Sequence, residues 1–165
     1  MRKILFVCLG NICRSPIAEA TFKDILKIKG LSEHFEVDSA GIQGWHIGKK
    51  ADPRTLKNAE KHGIEIIHLG RKLSDKDLDY YDHIVVMDEE NFEALHTKYY
   101  EIKGVPPPPE KLFLIRDHDP LVKGVHSVID PFYEGESVFE EVFQTVWRSN
   151  EALLSYLIEK YELGN

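Results

Sequence analysis

Two cysteines, an arginine and a serine lie within eight consecutive residues near the start of the chain. The segment reads CLGNICRS, from Cys8 to Ser15, and the chain has no other cysteine. A thiolate is a strong nucleophile, and the planar guanidinium of an arginine can grip two phosphate oxygens at once. The spacing from Cys8 to Arg14 therefore indicates nucleophilic attack on phosphorus, with Arg14 as the phosphate clamp.

The backbone of the same segment is suited to binding an anion. The apolar run at 3–7 predicts a buried strand, and Ser15-Pro16 predicts a helix start with Ser15 as the cap. A loop wrapped between them points its N–H groups inward, and the helix dipole adds positive potential. Glycine and asparagine tolerate the left-handed backbone that such a cradle needs. The predicted phosphate-binding residues are Leu9, Gly10, Asn11, Ile12, Cys13 and Ser15.

Hydrolysis of a phosphate ester also requires a general acid that protonates the leaving oxygen. Three aspartates precede a proline, namely Asp52, Asp119 and Asp130. A proline keeps the preceding residue out of helical geometry, which can hold a carboxylate at a loop. An Asp-Pro pair is equally typical of an ordinary turn, so these residue types alone leave the choice of acid open.

The elements that must position these groups alternate along the chain. Strands are predicted over 3–7, 35–40, 65–69, 83–87 and 112–115, the third being weak. Helices are predicted over 15–29, 53–62, 89–98 and 137–161, with a capping box at Ser137-x-x-Glu140 and a short turn opened by Ser74-x-x-Asp77. Mostly apolar strands between helices predict an α/β fold, a three-layer sandwich with a short, about four-stranded parallel sheet and helices on both faces.

Composition restricts the partners that the protein can have. The 165 residues carry a formal net charge of −7, which disfavours binding to nucleic acid. No run is long enough for a membrane span, and the apolar start is too short for a signal peptide, so we expect a cytoplasmic protein. The eight histidines are scattered without paired ligand spacing, and we expect no metal and no cofactor.

The segment VCLGNICRSPIAEA at 7–20 resembles the signature of the low-molecular-weight protein tyrosine phosphatases. Further matches follow in the family's order: VDSAG at 37–41, GWHIG at 44–48, KHGI at 61–64, VMDEEN at 86–91 and IDPFY at 129–133. The resemblance implies one phosphatase domain over 1–165, with a flavodoxin-like strand order 2-1-3-4. It also implies hydrolysis of phosphotyrosine through a phosphocysteine on Cys8, with Asp130 as the acid.

The resemblance also assigns the walls of the substrate cleft. It places Trp45 on one side and Phe132 and Tyr133 on the other, where they would stack on an aryl phosphate. Family members often carry two phosphorylatable tyrosines after the Asp-Pro pair. Here Phe132 replaces the first, so only Tyr133 remains for such regulation.

Four polar residues match supporting positions of the family. Ser39 and His68 correspond to residues that fix the loop asparagine, here Asn11, although a lone histidine is often merely structural. Asp88 and Asn91 match positions near the site, and Asp88 can equally be a plain helix cap after the strand at 83–87.

The second cysteine suggests a further property. Because Cys13 shares the loop with Cys8, peroxide can drive a Cys8–Cys13 disulfide that protects Cys8 from irreversible oxidation. The sequence therefore predicts reversible redox inactivation.

Other functions fit the residues less well. Arsenate reductases of similar build need further cysteines, which this chain lacks. The corresponding loop of protein arginine phosphatases has a threonine at the position of Ile12. Asp117 and Asp119 faintly resemble the motif of magnesium-dependent phosphatases with an aspartate nucleophile. A phosphotyrosine-binding module would lack the nucleophile or the acid. We therefore expect an enzyme that acts on phosphotyrosine-containing proteins, favoured as a monomer.

Overall fold

The computed structural model describes residues 1–164 and is built around one parallel sheet. Its four strands are β1 (Arg2–Cys8), β2 (Phe35–Gly41), β3 (His83–Val86) and β4 (Leu112–Leu114). They lie in the order β2-β1-β3-β4, and every pair is parallel. The predicted α/β class and strand order 2-1-3-4 are confirmed.

Helices cover both faces of the sheet. They are α1 (Arg14–Lys29), α2 (Pro53–Lys61), α3 (Asp77–Tyr80), α4 (Glu89–Lys103) and α5 (Glu136–Tyr161). Side chains of a strand alternate between faces, and β1 follows this rule. Ile4, Phe6 and Cys8 pack in the core beside α1 and α5, whereas Leu5 and Val7 pack in a second core beside α3 and α4.

The weak strand predicted over 65–69 is wrong. This segment pairs with another only at an isolated antiparallel bridge between Leu69 and Lys50. Of its apolar residues only Ile66 packs against the core, whereas Ile67 and Leu69 are exposed. The apolar residues favour a strand locally, but within residues 1–164 this part of the chain pairs with the edge strand β2 only beyond the segment, at a parallel bridge between Lys72 and Gly41.

Two predicted helix caps are also wrong. Helix α1 begins at Arg14 with Cys13 before it, and the Ser15 hydroxyl makes no cap hydrogen bond. Helix α5 begins at Glu136 after Gly135, without the predicted capping box. Glu140 accepts a hydrogen bond from an element distant in sequence instead of from its own helix start. Long-range partners therefore override the local capping pattern.

Helix α4 is longer than predicted and ends at Lys103 rather than near 98. Gly104 ends it in the left-handed conformation, with its N–H donating to the carbonyl of Tyr100 at 2.8 Å. No helix within residues 1–164 is long and apolar enough to cross a membrane.

A buried aspartate ties the segment after β4 to helix α5. The Asp119 carboxylate, 0% exposed, accepts hydrogen bonds from Arg148 at 2.7 and 3.0 Å and from Arg116 at 2.9 Å. Burial acts to raise the pKa of Asp119, but hydrogen bonds from Arg148, the Leu121 N–H and Arg116 outweigh it and lower the pKa to about 2. These contacts give Asp119 a structural role.

The Asp119→Asn variant should be less stable at pH 7 by about 2 kcal/mol, because a carboxyl with a lowered pKa stabilises the folded state when ionised. That contribution is complete above the unfolded-state pKa of about 4 and disappears as the pH falls towards 2. The difference from the parent in urea unfolding should therefore shrink below pH 4.

The exposed Asp75, which pairs with Lys98 at 3.2 Å, supplies the control. Asp75→Asn should cost less than about 1 kcal/mol. If Asp119→Asn lowers the free energy of unfolding equally at pH 7 and at pH 3, the structural role of the ionised Asp119 carboxylate is contradicted.

Candidate active site

The Cys8 sulfur lies at the carboxyl end of the central strand β1, under the loop that leads into α1. The Asn11 N–H donates to this sulfur at 3.2 Å, and the Ser15 hydroxyl oxygen lies 3.0 Å from it. The loop thus folds back over the thiol, and Cys8 is 3% exposed. The fold surrounds the sulfur with hydrogen-bond donors, as a thiolate nucleophile requires.

Asn11 holds the shape of this loop. Its backbone is left-handed, with φ 55°, and its side chain is buried. The amide nitrogen donates to the hydroxyls of Ser15 at 2.8 Å and Ser39 at 3.0 Å. The amide oxygen accepts from the Arg71 N–H at 3.0 Å and lies 2.8 Å from Nε2 of His68. One side chain therefore joins the loop to β2 and to the segment before α3.

A second layer of polar groups stands behind Asn11. The Ser39 hydroxyl donates to Glu19 at 2.6 Å, and Nδ1 of His68 lies 3.2 Å from carboxylate oxygens of both Glu19 and Asp38. Burial acts to raise the pKa of Asp38, but hydrogen bonds from His68 and Ser39 and the charge of Arg71 lower it to about 2.

The atoms of Glu19, Asp38 and His68 that could bind a metal lie within 4.8 Å of one another. Each of these residues is already hydrogen-bonded to the groups that hold Asn11. The geometry therefore favours a support for the loop over an open coordination site.

Arg14 enters the site from the first turn of α1. Its Nη1 donates to Asp88 at 2.8 Å and to the carbonyl of Val128 at 3.0 Å, and its Nη2 lies 3.9 Å from Asp130. Burial acts to lower the pKa of Arg14, but the negative charges of Cys8 and Asp88 raise it above its ordinary value. The guanidinium is thus a fixed cation beside the sulfur.

Asp88 is both a helix cap and a partner of the Arg14 guanidinium, the two roles that the sequence left open. It caps α4 by accepting from the Asn91 N–H at 2.7 Å, and it pairs with Arg14. Asn91 is buried, and its side-chain oxygen has no hydrogen-bond partner among residues 1–164. Asn91 therefore contributes to the Arg14 support through its backbone.

Asp130 stands at the mouth of the same pocket, and its side chain is 54% exposed. One carboxylate oxygen accepts from the Phe132 N–H at 3.1 Å, closing a turn around Pro131. The cavity has a volume of ≈ 340 Å³. It is lined by three segments, the loop at 8–14, residues 45–46 and residues 130–133. Its lining consists of Cys8, Leu9, Gly10, Ile12, Cys13, Arg14, Trp45, His46, Asp130, Phe132 and Tyr133.

The aromatic residues of the pocket form its outer walls. Trp45 is 61% exposed and Tyr133 is 92% exposed, so neither belongs to the core. The rings of Phe132 and Tyr133 meet edge to face, with centroids 4.9 Å apart. His46 also lines the pocket and was not predicted; its position next to Trp45 is the one available sequence signal.

The second cysteine lines the pocket but differs from the first in its chemistry. Cys13 is buried, and this burial raises the pKa of its thiol to about 12. Asp52 lies nearby, where it caps α2 and donates its N–H to the Ile12 carbonyl at 2.9 Å. The sequence predicts the cap, but it gives no sign of the contact with the loop.

Comparisons with known proteins agree with this geometry. The family model "Low molecular weight phosphotyrosine protein phosphatase" matches residues 3–163. The low molecular weight protein-tyrosine-phosphatase YfkJ of Bacillus subtilis is 40% identical over 99% of this chain and 100% of its own length. A crystal structure of a protein tyrosine phosphatase from Entamoeba histolytica superposes with a TM-score of 0.85 at 34% identity, covering 98% of this chain and 99% of that one.

A solved structure titled as a Drosophila arginine phosphatase is also similar. Its TM-score is 0.84 at 29% identity, and the match covers 95% of this chain and 98% of that chain. The fold alone therefore does not separate the two substrate classes.

The two thiols should differ strongly in reactivity. With a pKa of about 12, Cys13 is a neutral thiol at pH 7.5, whereas Cys8 sits among hydrogen-bond donors. Iodoacetamide at pH 7.5 should modify Cys8 at least about tenfold faster than Cys13, as followed by peptide mass spectrometry. Inorganic phosphate should slow the reaction.

Single-cysteine variants separate the two sites in this experiment. In Cys13→Ser, the remaining Cys8 should be labelled at its parental rate. In Cys8→Ser, the fast labelling should be absent and only the slow labelling of Cys13 should remain. Equal labelling of both cysteines in the parent would contradict the assignment.

Proposed function

The chain belongs to the low molecular weight phosphotyrosine protein phosphatases, and we propose that it hydrolyses phosphotyrosine in proteins through a phosphocysteine on Cys8. One observation carries the assignment of roles: the Cys8 thiol, the Arg14 guanidinium and the Asp130 carboxylate line one pocket with aromatic walls. We assign these three residues as nucleophile, phosphate clamp and general acid, respectively.

In the first step, the Cys8 thiolate attacks phosphorus and the bond between phosphorus and the tyrosyl oxygen breaks. The N–H groups of the loop at 9–13, apart from the Asn11 N–H that donates to the Cys8 sulfur, and the guanidinium of Arg14 hold the equatorial oxygens, where charge builds up in the transition state. Asp130 gives its proton to the departing phenolate oxygen. The products are tyrosine and a phosphocysteine.

In the second step, water attacks the phosphocysteine and the phosphorus–sulfur bond breaks. The Asp130 carboxylate, now without its proton, accepts one from the water. Inorganic phosphate leaves, and the Cys8 thiolate returns to its position beside Ser15 and the Asn11 N–H. The enzyme is thereby restored with no cofactor.

The remaining predicted site residues support these steps. We propose that Ser39 and His68 hold Asn11 and thereby fix the loop. We also propose that Asp88, which caps α4, holds Arg14. Trp45, Phe132 and Tyr133 would flank the phenyl ring of the substrate by stacking.

Steady-state hydrolysis of aryl phosphates tests the assignment. Cys8→Ser should lose at least about 100-fold in kcat/KM, since the nucleophile is removed. Asp130→Ala should lose about 100-fold with phenyl phosphate and clearly less with p-nitrophenyl phosphate, whose leaving group needs less protonation. Unchanged thermal unfolding would show that both variants fold.

A Cys8→Ser enzyme with the parental rate would end the proposal. A loss for Asp130→Ala that does not depend on the leaving group would mean that another residue is the acid. Activity that persists in EDTA would separate this mechanism from that of magnesium-dependent phosphatases, in which an aspartate such as Asp117 would attack.

Phosphoarginine is the second candidate substrate, because an arginine phosphatase shares the fold. Ile12 lines the pocket at the loop position where arginine phosphatases have a threonine. Its apolar side chain favours the phenyl ring of phosphotyrosine. The kcat/KM values for matched phosphotyrosine and phosphoarginine peptides should favour phosphotyrosine. The reverse preference would assign the second function.

We also propose reversible redox inactivation. Cys8 and Cys13 are both free thiols that line one pocket. Peroxide oxidises the Cys8 thiolate to a sulfenic acid and is itself reduced to hydroxide. The Cys13 thiol then loses its proton as its sulfur attacks the sulfenic sulfur, a disulfide forms, and the hydroxyl group leaves with that proton as water. The disulfide would shield Cys8 from further oxidation.

The Cys13→Ser variant tests this property. After peroxide treatment and then dithiothreitol, the parent should recover most of its activity, whereas Cys13→Ser should recover at most about half as much, because its sulfenic acid oxidises irreversibly. Activity should be measured before treatment, after peroxide and after reduction. Equal recovery of the two proteins would refute the redox role.

We propose that the chain acts as a single phosphatase domain, 1–165, in the cytoplasm and as a monomer. A thiolate mechanism suits a reducing compartment, and the net charge of −7 disfavours nucleic acid and anionic membrane surfaces as partners. Its partners would then be phosphotyrosine-containing proteins.

A further inference from the structure

The segment that carries the general acid is held by an arginine of another element. We define the acid loop as residues 130–134. We propose that Arg54, in the first turn of α2, is a positioning residue that fixes the acid loop over the phosphate-binding loop. This inference rests on the proposed function of Asp130.

The first observation is a pair of hydrogen bonds to the backbone of the acid loop. Nη2 of Arg54 donates to the Phe132 carbonyl at 2.7 Å, and Nη1 donates to the Glu134 carbonyl at 3.3 Å. Within residues 1–164, these are the hydrogen bonds that the acid loop receives from other segments. The approach of Arg14 to Asp130 is longer, at 3.9 Å.

The second observation is that the same guanidinium is anchored to the carboxylate of Asp52. Its Nε and Nη2 donate to the two carboxylate oxygens of Asp52 at 3.0 and 2.9 Å. Asp52 is buried, and its own N–H donates to the carbonyl of Ile12 in the phosphate-binding loop at 2.9 Å. A continuous chain of hydrogen bonds therefore runs from one loop through Asp52 and Arg54 to the other.

The third observation concerns the shape of the side chain. The guanidinium carbon of Arg54 lies 4.6 Å from the ring centroid of Phe139 and 5.6 Å from that of Phe132. A planar fork can stack on aromatic rings while it donates in two directions. Lysine has the same charge but lacks the fork and the plane, so it cannot reproduce these contacts together.

Proton transfer is sensitive to the placement of the acid. Displacement of a catalytic group by about 1 Å can cost up to about 100-fold in rate. Asp130 is half exposed and is bonded mainly within its own turn, so its position depends on the path of the loop backbone. Loss of Arg54 should therefore weaken the acid step and leave attack by Cys8 on an activated ester largely intact.

The test compares Arg54→Met and Arg54→Lys with the parent on two aryl phosphates. Both variants should lose about tenfold in kcat/KM with phenyl phosphate and less than about threefold with p-nitrophenyl phosphate. Lys57→Met is the matched control, because Lys57 lies on the same helix and makes an exposed ion pair with Glu136. This control should keep the parental values with both esters.

The same substitution made without the acid isolates its route of action. In an Asp130→Asn background, Arg54→Met should change kcat/KM for phenyl phosphate by less than about twofold, since no acid remains to be positioned. An equal loss in both backgrounds, or one independent of the leaving group, would overturn the proposal.

Inhibition by inorganic phosphate separates the two loops. Its competitive inhibition constant should stay within about twofold of the parental value in Arg54→Met, because the phosphate-binding loop keeps its own support. A parallel rise would place the effect of Arg54 on that loop and also overturn the proposal. Failure in either way, with Cys8 still essential, would leave the proposed function standing.

Discussion

The site depends on one buried amide whose hydrogen bonds come from several directions. Asn11 occupies a left-handed backbone conformation that most side chains disfavour, and its side chain makes that turn stable by binding Ser15, Ser39, His68 and the backbone of Arg71. Because an unpaired buried polar group costs about 1–3 kcal/mol, the network has one well-satisfied arrangement. The protein's own contacts therefore hold the shape of the loop, which is the preorganisation that the proposed binding of an oxyanion by its N–H groups requires.

Charge balance is the second constraint on the site. Three groups that carry or can carry negative charge, Cys8, Asp88 and Asp130, surround one buried arginine. Arg14 is anchored on one side by Asp88 and the Val128 carbonyl, so its guanidinium is oriented by the protein. A dianionic phosphate ester would enter a site where one cation and the start of α1 offset the nucleophile and the acid.

The fold was predictable from the sequence, and the nucleophilic role of the loop from Cys8 to Ser15 stays a prediction, whereas the long-range contacts of both were not predictable. Alternating apolar strands and helices indicate the α/β class, and the spacing from Cys8 to Arg14 points to phosphate chemistry without any structure. Asp130 could not be chosen over Asp52 and Asp119 by residue type, since all three precede proline; the family resemblance made that choice. The strand expected over 65–69 does not form, because a short local run of apolar residues does not reveal which segment will pair with a neighbouring strand.

Parallel topology explains why residues far apart in sequence meet at one point. Cys8 ends β1, Ser39 lies in β2 and Asp88 follows β3, so the carboxyl ends of three adjacent strands contribute to the same edge. The acid loop comes from no strand, and the segment before it reaches that edge through the Val128 N–H, which donates to the Met87 carbonyl just after β3 at 2.8 Å. Arg14 adds a hydrogen bond to the Val128 carbonyl before the acid loop, and Arg54 donates to the Phe132 carbonyl within it. Each arginine joins a carboxylate to a backbone carbonyl through one nitrogen, Nη1 in Arg14 and Nη2 in Arg54. In the proposed mechanism, the edge of the sheet thus sets where the phosphate binds, and Arg54 sets where the acid stands relative to it.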